Sequence, residues 1–193
     1  MYKLCKTEQS AQRQRQLENG LLRMMSVRRY DEITVSDLCE YLQVPRKSFY
    51  RYFSSKDGAL HALLDHTMMD YEDFNSATAG AEARSLHRDL TQFFLFWIRH
   101  KPLLDALEKS GMSGTLVERA MSHATSDDNL PRRFLPMDTP DMRKQVVLFC
   151  VSGLMSMVLS WHHEGYSQSP EHMAAVAVRI IGQPLFPNVE QFY

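Results

Sequence analysis

Apolar side chains recur at intervals of three and four residues along almost the whole chain, and no stretch alternates in the two-residue rhythm of a strand. The first such stretch, 7–27, places Leu17, Leu21, Met24 and Met25 on one helical face, with Gly20 as a modest weakness. A shorter one carries Val35, Leu38, Cys39 and Leu42, and a longer one from residue 56 to about 74 carries Leu60, Leu63, Leu64, Thr67 and Met68, with Ser55 as its cap. The run 85–100 contains Phe93-Phe94-Leu95-Phe96-Trp97-Ile98, apolar all round, which predicts an enclosed helix. Pro102 breaks it and starts a short helix through Glu108, and 116–124 form another. The sixteen uncharged residues 146–161 and a stripe of Met173, Val176, Ala177, Ile180 and Ile181 complete the series, the last helix capped by Ser169 with Pro170 in its first turn. Loops are expected at 76–83 and, with three prolines, at 126–140. The pattern predicts an all-α chain of about nine helices.

One stretch is punctuated more densely than the rest. Residues 33–60 read ITVSDLCEYLQVPRKSFYRYFSSKDGAL. Thr34 precedes a short helix and Asp37 stands three residues on, a capping box with Asp in place of Glu. Val44 closes a tight turn, and Pro45 occupies a first helical position, where a missing N–H costs nothing. Arg46, Lys47, Ser48, Tyr50 and Arg51 then surround a single Phe49. A second short helix whose start is loaded with donors, held across a first, is the arrangement that enters a major groove. The chain therefore divides into a three-helix helix-turn-helix domain at 1–54 and a larger helical domain at 55–193.

In these residues the chain resembles the tetracycline-repressor (TetR) family of bacterial regulators. The family's run V-S-x-G-T-x-Y-x-Y-F-x-S-K corresponds to Val44-Pro45-Arg46-Lys47-Ser48-Phe49-Tyr50-Arg51-Tyr52-Phe53-Ser54-Ser55-Lys56, and Arg29-Tyr30-Asp31-Glu32-Ile33-Thr34-Val35 is similar to its passage from helix one into helix two. Two positions depart from it. Gln43 stands where the family usually has Gly in the turn, so a left-handed backbone there costs on the order of 1 kcal/mol. Lys47 replaces a frequent Gly on the recognition helix and adds a cation near the DNA. A weaker likeness covers 149–181, where Gly153, Trp161, Gly165 and Ser169-Pro170-Glu171 are similar to the family's last two helices. The resemblance implies a homodimer that binds double-stranded DNA, is paired through those two helices and is controlled by a small molecule held in the larger domain.

Composition changes the picture only through its distribution. The 193 residues carry a net charge of −1, which alone argues against a nucleic-acid binder. Residues 1–60, however, hold 11 Lys and Arg against 7 Asp and Glu, whereas the remainder holds 11 against 16, a basic head on an acidic body. Cys5, Cys39 and Cys150 are odd in number and widely spaced, which suits a reducing cytoplasm. The opening residues lack the apolar core of a signal peptide. The uncharged run 146–161 falls short of the ~20 residues that span a bilayer, and with Ser152, Gly153, Ser156 and Ser160 it reads as a buried helix with no membrane partner.

Candidate chemistry follows. Arg46 and Lys47 are the long cations that could reach guanine O6 and N7. Ser48, Tyr50 and Arg51 are candidate phosphate binders, Pro45 shapes their helix, and Thr34 and Ser36 could add contacts from the preceding helix. By the resemblance, Lys56 adds a phosphate contact at the N-terminus of the fourth helix. Ser152, Ser156 and Ser160 recur every four residues beside Gly153, a row that admits a second helix closely, and with Met173, Val176, Ala177 and Ile180 they form a candidate dimer face. The same stripes could instead close the chain's own core. Met68, Phe93, Phe96, Trp97, Met112, Phe149 and Met157 are candidate lining of an effector pocket, or simply core. His66 and Asp70 share a helix face but lack a third ligand, and no spacing suggests a metal, a cofactor or a catalytic triad. The expectation is a ligand-released repressor acting on a palindromic operator, not an enzyme. Its alternatives are the same fold answering to a protein partner, or a small-molecule-binding protein without DNA binding.

Overall fold

The computed structural model describes Tyr2, Cys5 and residues 7–78, 85–126 and 139–182; the predicted loop residues 79–84 and 127–138 lie outside these. Nine α-helices are present among the described residues, with no strand beyond an isolated antiparallel bridge between Tyr2 and Phe53. In chain order they are α1 (Glu8–Val27), α2 (Val35–Tyr41), α3 (Arg46–Tyr50), α4 (Lys56–Thr78), α5 (Leu86–Arg99), α6 (Lys101–Lys109), α7 (Ser113–Ala124), α8 (Pro140–His163) and α9 (Pro170–Gly182), with one turn of 3-10 helix at Tyr30–Glu32.

The helices start where side chains accept the first free N–H groups. Thr7, Ser85 and Thr139 accept from the backbones of Ser10, Arg88 and Met142, and Ser55 accepts from Gly58 N at 3.1 Å. In the box at α2, Thr34 Oγ1 accepts from Asp37 N at 3.1 Å while Thr34 N donates to the Asp37 carboxylate at 2.9 Å. α4 runs one turn past its predicted end.

The first core lies between α1, α2, α3 and the start of α4, where Leu17, Leu21, Ile33, Leu38, Phe49 and Phe53 are at most 1% exposed. Gly20 is what lets α2 come this close, since a Cβ there would lie 2.6 Å from Leu42 Cδ1. The second core belongs to the body and is centred on Phe94, Trp97, Leu107, Leu116, Val158 and Trp161. α4 serves both. Bidentate Arg15–Asp70 contacts at 3.0 and 2.6 Å tie it to α1, and a bidentate contact between Asp65 and Arg119 ties it to α7. α6 joins the two parts again, through Lys109 Nζ to Ser26 O at 3.1 Å and through Tyr30 N to Ser110 Oγ at 3.0 Å.

α8 departs from its expectation. It has a mean hydropathy of 1.5 over its most apolar window, and it is long and apolar enough to cross a membrane by length and composition. Yet only 28% of that window is buried within the chain. Met155, Val158 and Trp161 face the core, while Phe149 stands 69% exposed and Ser156 and Ser160 also face outward.

Candidate nucleic-acid interface

The recognition unit is built on a turn that strains one residue. Gln43 takes φ 53°, the left-handed conformation expected of the position where glycine would be relaxed. Val44 N then returns to Cys39 O at 2.9 Å and closes the turn. Pro45 follows as the N-cap of α3, its fixed φ of −61° setting up the helix although it has no side chain to accept a hydrogen bond. With Phe49 fully buried and Tyr52 and Phe53 buried behind it, the helix can present only its remaining residues outward.

Those residues are Arg46, Lys47, Tyr50 and Arg51, all exposed, and Ser48, half-buried. The Arg46 guanidinium lies 6.0 Å from the centre of the Tyr50 ring, which stands 45% exposed. Such stacking holds a guanidinium in place without consuming its hydrogen bonds. Thr34 and Ser36 are exposed at the start of α2. The hydrogen bonds from the Thr34 backbone and side chain hold the Asp37 carboxyl below the usual carboxylate range. The box is thereby a charged one, fixing the start of α2.

Lys56 is placed differently from its sequence expectation. Its Nζ donates to Tyr30 O and to Ile33 O, each at 2.5 Å, and lies 4.0 Å from the Tyr30 ring centre. Burial lowers its pKa. Beside it the Tyr30 hydroxyl donates to Asp57 Oδ1 at 2.6 Å, and burial pushes that phenol up. The ammonium thus satisfies carbonyls at the end of the 3-10 turn, which the sequence pattern gave no means of seeing. The other feature missed lies on α1. Gln9, Ser10 and Arg13 share with Ser48, Arg51 and Tyr52 a cleft of about 290 Å³. Its signal was the run Gln12-Arg13-Gln14-Arg15-Gln16, which puts five polar residues in a row just before the apolar positions Leu17 and Leu21.

The body's candidate residues divide. Phe93, Phe96 and Trp97 come together, joined by two aromatics of α4 that sequence reasoning did not select. Tyr71 meets Phe93 and Phe96 edge-on at 5.7 and 5.2 Å, and Phe74 approaches Phe96 at 5.8 Å. Met68 is buried, Met112 and Met157 pack against the same core, and burial pushes Tyr71 to about 12. Phe149 does not join them, because its position on α8 turns it to the surface. On the candidate dimer face, Gly153, Ser156, Ser160, Val176 and Ile180 are exposed, and Ser152 and Met173 half-buried. Ala177 belongs to the core instead, 1% exposed where α9 packs on α5. His66 and Asp70 pair apart, with Glu18 at 2.8 Å and with Arg15, and no cluster of three metal-ligating side chains exists among the described residues.

Comparison with known proteins agrees with this geometry. Residues 20–63 match the family described as bacterial regulatory proteins, tetR family. No curated protein matches the chain. Among solved structures, a TetR transcriptional regulator from Streptococcus agalactiae 2603V superposes with a TM-score of 0.59 at 19% identity, covering 90% of this chain and 95% of its own. The fatty acid degradation regulator FadR from Bacillus halodurans gives 0.57 at 14%, covering 94% and 98%. The TetR family repressor AlkX from Dietzia sp. strain DQ12-45-1b gives 0.53 at 13%, covering 87% and 92%. Over residues 20–63, from the end of α1 to the start of α4, the chain carries the sequence of the bacterial regulatory proteins of the tetR family, and over most of its length it has the fold of solved regulators of that family.

Proposed function

We propose that the protein is a homodimeric repressor that binds a palindromic operator and leaves it when a small molecule binds the body. The observation that carries the DNA-binding part is the face of α3. Its one buried residue, Phe49, fixes the helix so that Arg46, Lys47 and Tyr50 all project outward beside a capped α2. Base reading falls to Arg46 and Lys47, while Ser48, Tyr50, Arg51, Thr34 and Ser36 serve phosphates. The ligand part rests on the buried Trp97, whose indole N–H has no acceptor among the described residues, amid the aromatics of α4 and α5. An unpartnered donor in an apolar setting costs about 1–3 kcal/mol, which a ligand acceptor would recover. The dimer part rests on the open apolar face of α8 and α9. The sign of regulation is taken as repression. AlkX is titled a repressor and another solved relative by fold, DhaS, an operon activator, so the fold is compatible with either. A DNA-binding regulator of this kind works in the cytoplasm.

The test is binding to the duplex upstream of its own gene. Affinity should fall about 10³-fold or more between 50 and 200 mM salt if the dimer neutralises roughly 6–10 phosphates. Arg46→Ala should cost about 1–3 kcal/mol on the operator and relax preference at one position in each half-site. Salt-independent association, or a uniform loss with Arg46→Ala, overturns the assignment.

A further inference from the structure

We infer that α1 is itself a DNA-contacting element, with Arg13 and Arg51 forming a clamp for a backbone phosphate beside the groove that α3 reads. The inference rests on the DNA-binding reading of α3 and extends it to a helix that reading did not use.

The cleft between α1 and α3, about 290 Å³, is lined by Gln9, Ser10 and Arg13 from one side and Ser48, Arg51 and Tyr52 from the other. Two arginines therefore line one space, together with two serines, a glutamine and a tyrosine, and no carboxylate is among its described lining. Like charges gathered without a counter-charge repel one another, so the arrangement gains stability from an anion. Arg13 is exposed, and among the described residues it donates to its neighbour Gln16 at 2.6 Å, a neutral partner that leaves the charge uncompensated. The cleft also includes the first turn of α1, a helix of 20 residues whose N-terminal end carries positive partial charge.

The position of the cleft favours DNA as the source of that anion. Ser48 on α3 and Arg51 just after it lie three positions apart, and Arg51, four residues from Lys47, prolongs the exposed face of α3 toward α1. A helix lying in a major groove has base edges before it and a phosphate strand along each flank. If Arg46, Lys47 and Tyr50 meet the bases, the adjoining edge that carries Arg51 and Ser48 meets a flanking strand, and Arg13 closes on that strand from α1. A guanidinium fork suits a phosphodiester in a way that a neutral ligand would not exploit.

The experiment compares the full-length protein with Arg13→Ala and Arg13→Lys on operator DNA, on unrelated duplex, and in titration with inorganic phosphate. Arg13→Ala should weaken operator and unrelated duplex by a similar factor, roughly 10-fold at moderate salt, and lower the salt slope by about 1 per protomer. Arg13→Lys should restore the slope while recovering only part of the affinity. Thermal melting should be unchanged, because Arg13 touches nothing that holds the fold. If the wild-type protein binds DNA and Arg13→Ala matches it in affinity and slope, the clamp is wrong while the reading of α3 stands. A loss confined to one base position makes Arg13 a base reader and overturns the phosphate assignment. Loss of inorganic-phosphate binding without loss of DNA affinity makes the cleft a site for free anions, which overturns the DNA contact. Failure of the wild-type protein to bind any duplex removes both readings.

Discussion

At the scale of single residues, the informative positions are those where pattern and geometry part. Lys56 lies in the run Phe53-Ser54-Ser55-Lys56 that carries the resemblance, and its place at a helix N-terminus suggested a phosphate contact. In the folded chain its ammonium holds Tyr30 O and Ile33 O instead. Sequence spacing shows that the two segments are near in the chain but not that two carbonyls converge on the lysine. Hydrogen bonds to a charged group contribute about 1.5–3 kcal/mol each way of counting, and their loss leaves the carbonyls in need of water. Lys56→Ala should therefore lower stability by about 2 kcal/mol in urea denaturation. The salt slope of DNA binding, measured well below the melting temperature, should hardly change. A normal melt with a reduced slope would return Lys56 to the phosphates. Gln43 shows the opposite case, because the resemblance, which has Gly at this turn position, implied a left-handed residue there, and the φ of 53° meets it.

At the scale of elements, start signals were legible and lateral partners were not. Thr34, Ser55 and Ser169 as caps and Pro170 at a helix start all lie where local chemistry puts them, since a cap needs only its own next three residues, while Pro45 sits one residue earlier than expected, as the N-cap of α3. The two arginine pairs of α4 join residues more than 50 positions apart, which periodicity cannot supply. Two ion pairs on α4 separate by burial. Asp65 is 11% exposed in its side chain and Arg119 29%, whereas Arg15 and Asp70 are 36% and 45% exposed. The bonds from Asp65 hold the Arg119 guanidinium even more firmly protonated than usual. Arg119→Ala strands a buried carboxylate and should cost about 3 kcal/mol. Arg15→Ala frees an Asp70 that water can reach and should cost under about 1 kcal/mol. Equal midpoint shifts in guanidinium denaturation would mean that burial does not decide between them. Because α4 reaches from the recognition unit to the body, Arg119→Ala should also loosen any link between the two.

At the scale of the whole molecule, the fold was readable from its helical rhythm, but the surface it leaves open was not. The run 146–161 was legible as a helix, and its buried and outward faces could not be told apart, since almost every residue in it is apolar or small. The structure separates them, with Val158 and Trp161 inside and Phe149, Gly153 and Ser156 outside. Gly153 is the sharpest probe of what covers that face. A Cβ there meets nothing within 4 Å in the single chain, so Gly153→Leu has room in the monomer. It should in fact stabilise the isolated fold, because replacing a glycine in a helix gains up to about 1 kcal/mol. If a second α8 packs closely across this row, the same side chain collides with it. The two effects then have opposite signs, and sedimentation should show dissociation of the dimer while the monomer remains folded. Operator affinity should fall with it. Two recognition helices about 34–36 Å apart occupy successive major grooves only when the bodies hold that separation, and a lone head keeps only half the contacts. A Gly153→Leu protein that sediments and binds its operator as the wild type does would place the interface elsewhere and leave the face of α8 to another partner.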